Sequence, residues 1–277
     1  MKTHRIIGGG GVMLHVTDQG PETAPAFVLI HGWAQDASCW QMQAPLAETH
    51  RLIALDLRGH GASDAPQEAE AYTTTSLWAE DIKAIIDTLD LKAPILVGWS
   101  YGSRVIASYL DTFGDDAISG VVVAGGILTT GAAREDWMVG PSSPGLNRDL
   151  YTDDDDRRAA ATADFVRHCT FDPLDEALTE SIIGQNMRVT PLVRRAMFAA
   201  NWDFQPVFAN LNKPLLAIHG VEDAVVAPLC GITASELAPN GDLRLYEDTG
   251  HAPFLEAPER FNADLTLFAT TAFGAAA

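Results

Sequence analysis

The stretch Ile95-Leu96-Val97-Gly98-Trp99-Ser100-Tyr101-Gly102 decides how the rest of the chain is interpreted. Its first three residues form a continuous apolar run, which is typical of a strand buried on both faces of a parallel sheet. The next five fit the pattern G-x-S-x-G, and residues 103–113 then show the one-sided apolar spacing of an amphipathic helix. Five residues alone match by chance, but a strand, a tight turn and a helix together predict Ser100 as a nucleophile rather than an incidental serine in a β–α turn.

Apolar runs of the same kind recur and predict the other strands. They lie at residues 26–30, 52–55, 121–123 and 215–218, with a more alternating run at 243–246 that suits the edge of a sheet and a hairpin strand at 12–17 after a glycine-rich turn. Helical stripes separate them at residues 78–89, 103–113 and 258–273. Strands alternating with helices predict a doubly wound α/β fold with a mainly parallel, eight-stranded sheet.

One long region interrupts this alternation. Residues 128–208 contain no strand-like run, and their helical pieces are expected at 158–168, 175–184 and 191–200. We therefore predict a helical cap at 128–208, inserted late in the sheet between a first core part, 1–127, and a second, 209–277. The acidic run 153–156 is interpreted as a solvated loop or helix start, and the small-residue tail 274–277 is expected to fray.

Composition and charge narrow the classes of partner. The chain has 277 residues, 18 Lys and Arg against 37 Asp and Glu, and a formal net charge of −19. Such a surface repels a phosphate backbone, so a nucleic-acid partner is not expected. We interpret the acidic surface as one that keeps the protein soluble; the alternative is that it steers cationic substrates.

Cysteine usage and hydropathy indicate the compartment. Cys39, Cys169 and Cys230 are odd in number and widely spaced, so no disulfide framework is predicted. The N-terminal residues lack the apolar run of a signal peptide, and no stretch reaches eighteen apolar residues. We expect a cytoplasmic protein with no membrane partner, present as a monomer or homodimer.

A serine hydroxyl needs a base, and His251 is the best candidate among the eight histidines. It follows the last predicted strand, at the carboxyl end of the sheet where open α/β sheets hold their sites. His60, between two glycines, and His219, at a strand end, compete less well because both suit structural roles. Chain position therefore favours His251.

The base in turn needs a carboxylate to orient it. Asp223 follows the strand predicted at residues 215–218, and the order Ser100, Asp223, His251 is that of a known hydrolase architecture. Glu222 and Asp248 are the alternatives for the acid.

An oxyanion formed at Ser100 requires two backbone donors. We expect them to be the N–H groups of Tyr101, next to the nucleophile, and of Trp33, in the loop after the strand at 26–30. Candidate residues of the substrate pocket are His31, Trp33, Tyr101, Trp137 and Trp202; the alternative for the last two is that they bury cap surface.

Taken together, these motifs resemble the α/β-hydrolase superfamily over essentially the whole chain. The matching pieces are His31-Gly32-Trp33, Asp56-Leu57-Arg58-Gly59-His60-Gly61-Ala62-Ser63, Gly98-Trp99-Ser100-Tyr101-Gly102, Gly220-Val221-Glu222-Asp223 and Gly250-His251-Ala252-Pro253. The chain is most similar to small bacterial carboxylesterases with a helical cap, to the cofactor-free haloperoxidase and perhydrolase group, and to acyl-homoserine-lactone lactonases. Ser103 departs from the pattern, because many relatives have a second glycine there.

The resemblance implies a serine esterase for small to medium carboxylic esters that works through an acyl-enzyme and needs no cofactor or metal. Relatives that cleave carbon–halogen bonds or epoxides place aspartate at the position of Ser100, so serine here implies acyl transfer. A lactonase and a perhydrolase would use the same residues. A ligand receptor on the same fold is the alternative outside the enzymes.

Overall fold

The computed structural model describes residues 1–274; residues 275–277, most of the tail expected to fray, lie outside the described residues. The strands are β1 Lys2–Ile7, β2 Met13–Gln19, β3 Ala26–Ile30, β4 Arg51–Leu55, β5 Ile95–Trp99, β6 Gly120–Ala124, β7 Thr129–Thr130, β8 Trp202–Asp203, β9 Leu215–Gly220 and β10 Gly241–Tyr246. The α-helices are α1 Glu70–Thr73, α2 Thr75–Thr88, α3 Gly102–Phe113, α4 Asp155–Arg167, α5 Glu176–Met187, α6 Pro191–Ala196, α7 Gln205–Ala209, α8 Leu229–Leu237, α9 Pro253–Glu256 and α10 Pro258–Gly274. Short 3-10 helices occupy Gly9–Gly11, Ala37–Glu48, Gly131–Ala133, Asp136–Met138, Pro144–Leu146 and Arg148–Tyr151.

Eight strands form one mixed, mostly parallel sheet, as predicted. Their order is β1-β2-β4-β3-β5-β6-β9-β10. β1 pairs antiparallel with β2 and β2 with β4, and the other neighbours run parallel. β10 lies at the edge of the sheet, which explains its alternating sequence.

The inner strands read as continuous apolar runs because both faces of the sheet are covered. In β3, Val28 and Ile30 belong to one hydrophobic cluster, whereas Phe27 and Leu29 belong to the other. The first cluster also contains residues of α2 and α3, and the second contains residues of α10 and of the 3-10 helix Ala37–Glu48. Successive side chains point to opposite faces, so every position of such a strand has to be apolar.

The region expected to be purely helical contains α4, α5 and α6, but also two short strands. Thr129 of β7 pairs with Asp203 of β8, and Thr130 pairs with Trp202, in an antiparallel ladder. The expectation of no strand here was wrong, because a two-residue strand has no periodicity that a sequence could reveal. This ladder joins the beginning and the end of the region.

Within residues 1–274, no helix is long and apolar enough to cross a membrane.

Candidate active site

Ser100 sits on a sharp turn between β5 and α3. Its φ is +53°, a left-handed conformation that is rare for a residue other than glycine. The Ser100 N–H donates to the carbonyl of Ala124 on the neighbouring strand (2.9 Å). A Cβ at Gly98 would lie 2.6 Å from the backbone of Gly102, so glycine is required there. The strand, turn and helix predicted from the sequence are present, and they force the serine outward at the carboxyl end of the sheet.

Ser103, the departure from the family pattern, is buried in the first turn of α3. Its Oγ lies 2.7 Å from the carbonyl oxygen of Ser100 and 2.8 Å from that of Ile127. The hydroxyl therefore stabilises the turn at Ser100 through its backbone carbonyl. Sequence reasoning anticipated a bulkier residue here, but it missed this hydrogen bond.

His251 and Asp223 form a buried pair. Because an ionised carboxylate can only accept, Nδ1–H of His251 donates to Oδ2 of Asp223 (2.8 Å). This tautomer leaves Nε2 of His251 unprotonated. The His251 loop is held on both sides of its backbone, since its N–H donates to Cys169 O (2.8 Å) and its carbonyl accepts from Trp99 Nε1–H (2.8 Å).

Asp223 is held in its ionised form by several donors. Its Oδ1 accepts from the N–H groups of Val225 (2.8 Å) and Val226 (2.9 Å). Burial alone would raise the pKa of Asp223, but the neighbouring His251 and His219 hold this pKa well below its usual value. Nε2 of His219 lies 3.0 Å from Asp223 Oδ2 and 3.1 Å from Val226 O. His219 thus stands behind the acid, a contact that its position four residues earlier could have suggested.

The two acids left open by the sequence lie elsewhere. Glu222 is exposed and accepts from the N–H of Thr249 (3.1 Å). Asp248 is also exposed, with a φ of +52°. Neither carboxylate lies within 4 Å of a histidine nitrogen in the described chain.

The two amides expected to hold an oxyanion are available for a ligand. Within residues 1–274, neither the N–H of Trp33 nor that of Tyr101 donates to a protein acceptor. A Cβ on Gly32 would lie 3.1 Å from Ser100 Cβ, so the loop that carries Trp33 passes beside the serine. The side chains of both residues are anchored to the helical region: Trp33 Nε1–H donates to Arg194 O (3.3 Å) and Tyr101 Oη–H to Met197 O (2.7 Å).

Ser100 and His251 open into one largely apolar cavity. Its walls come from the loops at the sheet's carboxyl edge and from the region between β6 and β9. From that region it is lined by Phe165, Val166, Cys169, Thr170, Leu174, Ile182 and Phe198, and the charged group that reaches it is Arg134. Trp33 and Trp99 complete the wall near the serine.

Of the residues expected to line the pocket, Trp33 lines this cavity. His31, Tyr101, Trp137 and Trp202 are not among the lining residues. Trp137 is half-buried and packs against the hydrophobic core, and the Trp202 ring lies 5.7 Å from the guanidinium carbon of Arg104. His31 is fully buried: its Nε2 accepts from Leu57 N–H (3.0 Å) and its Nδ1 lies 2.7 Å from Gly32 O. Burial lowers the pKa of His31 to about 4.

His60, the weaker candidate base, is buried beside His31, with ring centroids 5.1 Å apart. Burial lowers the pKa of His60 to about 3, against 6.5 when exposed. Below pH 6.5 the unfolded chain takes up a proton at this histidine, whereas the folded chain does not until the pH nears 3. The folded state therefore keeps its full stability above pH 6.5 and loses stability as the pH falls toward 3. The slope is about 1.4 kcal/mol per pH unit.

His60→Asn should therefore reduce the acid sensitivity of the fold, because asparagine has no such group to protonate in the unfolded chain. The amide retains a donor for Arg58 O, which now lies 2.9 Å from Nδ1 of His60. Between pH 6.5 and pH 4.5, the free energy of unfolding should fall by about 2 kcal/mol less in the variant. Urea unfolding at both pH values measures this, and an equal fall in both proteins would contradict it.

Comparisons with known proteins agree on one family. The profile of the family described as "Alpha/beta hydrolase family" matches residues 27–264. The crystal structure of an esterase from Rhodococcus sp. ECU1013 is 32% identical, with a TM-score of 0.93 over 98% of this chain and 100% of that chain. A protein provisionally described as an aryl esterase, from Burkholderia cenocepacia, is 33% identical, with a TM-score of 0.92 over 99% and 100%. A non-heme chloroperoxidase of Streptomyces lividans is 27% identical over 93% of this chain and 96% of its own length.

Proposed function

Because the chain belongs to the alpha/beta hydrolase family, we propose that it is a serine esterase that cleaves small to medium carboxylic esters through an acyl-enzyme on Ser100. The observation that carries this proposal is the cavity shared by Ser100 and His251, with His251 hydrogen-bonded at 2.8 Å to the buried Asp223. The similarity to two structures described as esterases, at 32% and 33% identity over nearly the whole chain, supports it.

In the proposed mechanism, Nε2 of His251 takes the proton of Ser100 as Oγ attacks the ester carbonyl. The N–H groups of Trp33 and Tyr101 stabilise the oxyanion, and His251 then protonates the leaving alcohol. Water, deprotonated by the same nitrogen, attacks the acyl-enzyme and releases the acid. Asp223 keeps His251 in the required tautomer and stabilises its protonated form.

We also propose that residues 128–208 form a cap that selects the acyl group. Side chains from this region supply much of the apolar cavity wall, and the β7–β8 ladder pairs the two ends of the region. An apolar wall binds a hydrocarbon chain by burying it from water, so preference among esters should depend on acyl length.

Perhydrolysis is a second candidate activity, favoured by the similarity to the chloroperoxidase. Hydrogen peroxide would replace water in the attack on the acyl-enzyme and release a peracid. Lactone opening would use the same residues, with the leaving alcohol still tethered to the acyl group.

The test is a comparison of p-nitrophenyl esters from acetate to octanoate with an acyl-homoserine lactone and with ester plus hydrogen peroxide. We expect the highest kcat/KM for one of the esters, and mass spectrometry after acid quench should find the acyl group on Ser100. Failure to hydrolyse any ester, together with no labelling of Ser100 by a fluorophosphonate, would overturn the proposal in favour of a ligand receptor.

A further inference from the structure

Glu256 is a half-buried carboxylate five residues after His251, at the end of α9. The mechanism above does not use it. Its Oε1 accepts from the N–H groups of Gly250 (3.0 Å) and Ala252 (3.1 Å), and its Oε2 from those of Gly250 (2.9 Å) and Phe171 (2.7 Å). Within residues 1–274 no Lys, Arg or His side-chain nitrogen lies within 4 Å of this carboxylate, and its hydrogen-bond partners are backbone N–H groups. A carboxylate that accepts hydrogen bonds from three backbone N–H groups is a structural part of this loop.

The three donors come from two different parts of the molecule. Gly250 and Ala252 flank His251 in the chain, whereas Phe171 lies in the helical region between β6 and β9. Beside this link, the N–H of His251 donates to Cys169 O (2.8 Å). Cys169 and Thr170 in turn line the cavity that holds Ser100. Glu256 therefore bonds the loop of the proposed base to the wall of the substrate cavity.

We propose that Glu256 is a positioning residue, whose carboxylate aligns His251 with Ser100 by tying the His251 loop to Phe171, next to the cavity-lining Cys169 and Thr170. This inference rests on the proposed function, because it presumes that His251 acts as the base. Glu256 touches neither substrate nor reacting atoms; it acts through the backbone on both sides of His251. Burial raises the pKa of Glu256, while the three N–H donors oppose that rise, so the bonds favour the charged form.

Glu256→Gln tests the link with almost no change of shape. A glutamine side chain has one accepting oxygen, and its NH₂ group cannot accept. Turned one way, the amide gives up the bond to Phe171 and breaks the link; turned the other way, it keeps Gly250 and Phe171 but sets its NH₂ group against the N–H of Ala252, two donors that repel each other beside His251. We expect kcat for a p-nitrophenyl ester to fall about 10- to 100-fold, because small misplacements of a catalytic group have effects of this size. KM should change less than about threefold.

Inactivation by a fluorophosphonate gives a second readout, since that reaction also needs His251 to activate Ser100 but does not depend on ester binding. Its rate should fall in parallel with kcat. Glu259→Gln is the matched control, because Glu259 is exposed in the first turn of α10 and makes no side-chain hydrogen bond in the described part of the chain. Both rates should stay within about twofold of wild type in that control.

Glu256→Asp keeps both oxygens on a side chain one methylene shorter, and it decides the matter if the glutamine variant does not fold. We expect its kcat to lie between those of wild type and Glu256→Gln, with an unchanged near-ultraviolet circular dichroism spectrum. Folded variants whose kcat and inactivation rate both match wild type would overturn the inference. If wild type itself hydrolyses no ester and is not labelled, the proposed function has failed instead, and the two failures remain distinct.

Discussion

Ser100→Ala should lower kcat/KM for the best p-nitrophenyl ester by about 10⁴- to 10⁶-fold, the largest loss expected from any single change. The methyl group cannot attack a carbonyl, so no acyl-enzyme forms and water must attack the bound ester directly. The amides of Trp33 and Tyr101 would still polarise the ester, which is why a residual rate above that in solution should persist. Steady-state hydrolysis and the absence of an acylated protein mass measure this result.

The fold should survive this substitution. Ser100 Oγ makes no hydrogen bond to another described residue, and alanine is no larger than serine. Ser235→Ala is a fitting control, because Ser235 lies on α8 outside the cavity and its hydroxyl donates to Ile232 O (2.7 Å). That variant should keep full activity. A Ser100→Ala protein that retained more than about 1% of wild-type activity would refute the acyl-enzyme on Ser100.

Asp223→Asn should lower kcat by about 10⁴-fold, the second largest effect. The new amide oxygen can still accept from Val225 and Val226, which holds the side chain in its present orientation. Its NH₂ group then faces Nδ1 of His251, now 2.8 Å from the carboxylate, and favours the tautomer with the proton on Nε2. That histidine cannot take a proton from Ser100. Activity measured across the pH range, beside thermal unfolding, separates this loss from a loss of structure.

The alternative acids provide matched controls for Asp223. Glu222→Gln keeps an oxygen for the Thr249 N–H, and Asp248→Asn suits the left-handed φ of +52° at that position. Both should remain within a few-fold of wild-type kcat, since neither carboxylate is near His251. If Asp248→Asn or Glu222→Gln lost as much activity as Asp223→Asn, the assignment of the acid would have to be revised.

Local patterns were sufficient to predict the fold and the strand, turn and helix around Ser100. The sheet could be predicted because strands covered on both faces need apolar residues at every position, and β3 and β5 meet that need in full. The turn at Ser100 could be predicted because its backbone leaves no room for a side chain at Gly98. Where a strand has only two residues, as in β7 and β8, there is no periodicity from which it could be predicted.

The cavity wall was not predictable in the same way. For Trp137 and Trp202 the sequence left two roles open, lining the pocket or burying surface of the helical region, because size does not say which face of an element meets the cavity. The lining side chains instead come from α4, α5 and the segment around Cys169. Their selection depends on how the helical region packs over the sheet, which is a long-range property.

By itself, the sequence determined the inner strands and the turn that carries Ser100, because each depends on residues close together in sequence. The tertiary structure alone decided which of the candidate acids meets His251, with Asp223 at 2.8 Å, and which side chains of the helical region form the apolar cavity wall. The bond from Glu256 to Phe171 spans 85 residues of chain. A contact between residues so far apart leaves no local pattern in the sequence, because the residues around one partner carry no information about the other.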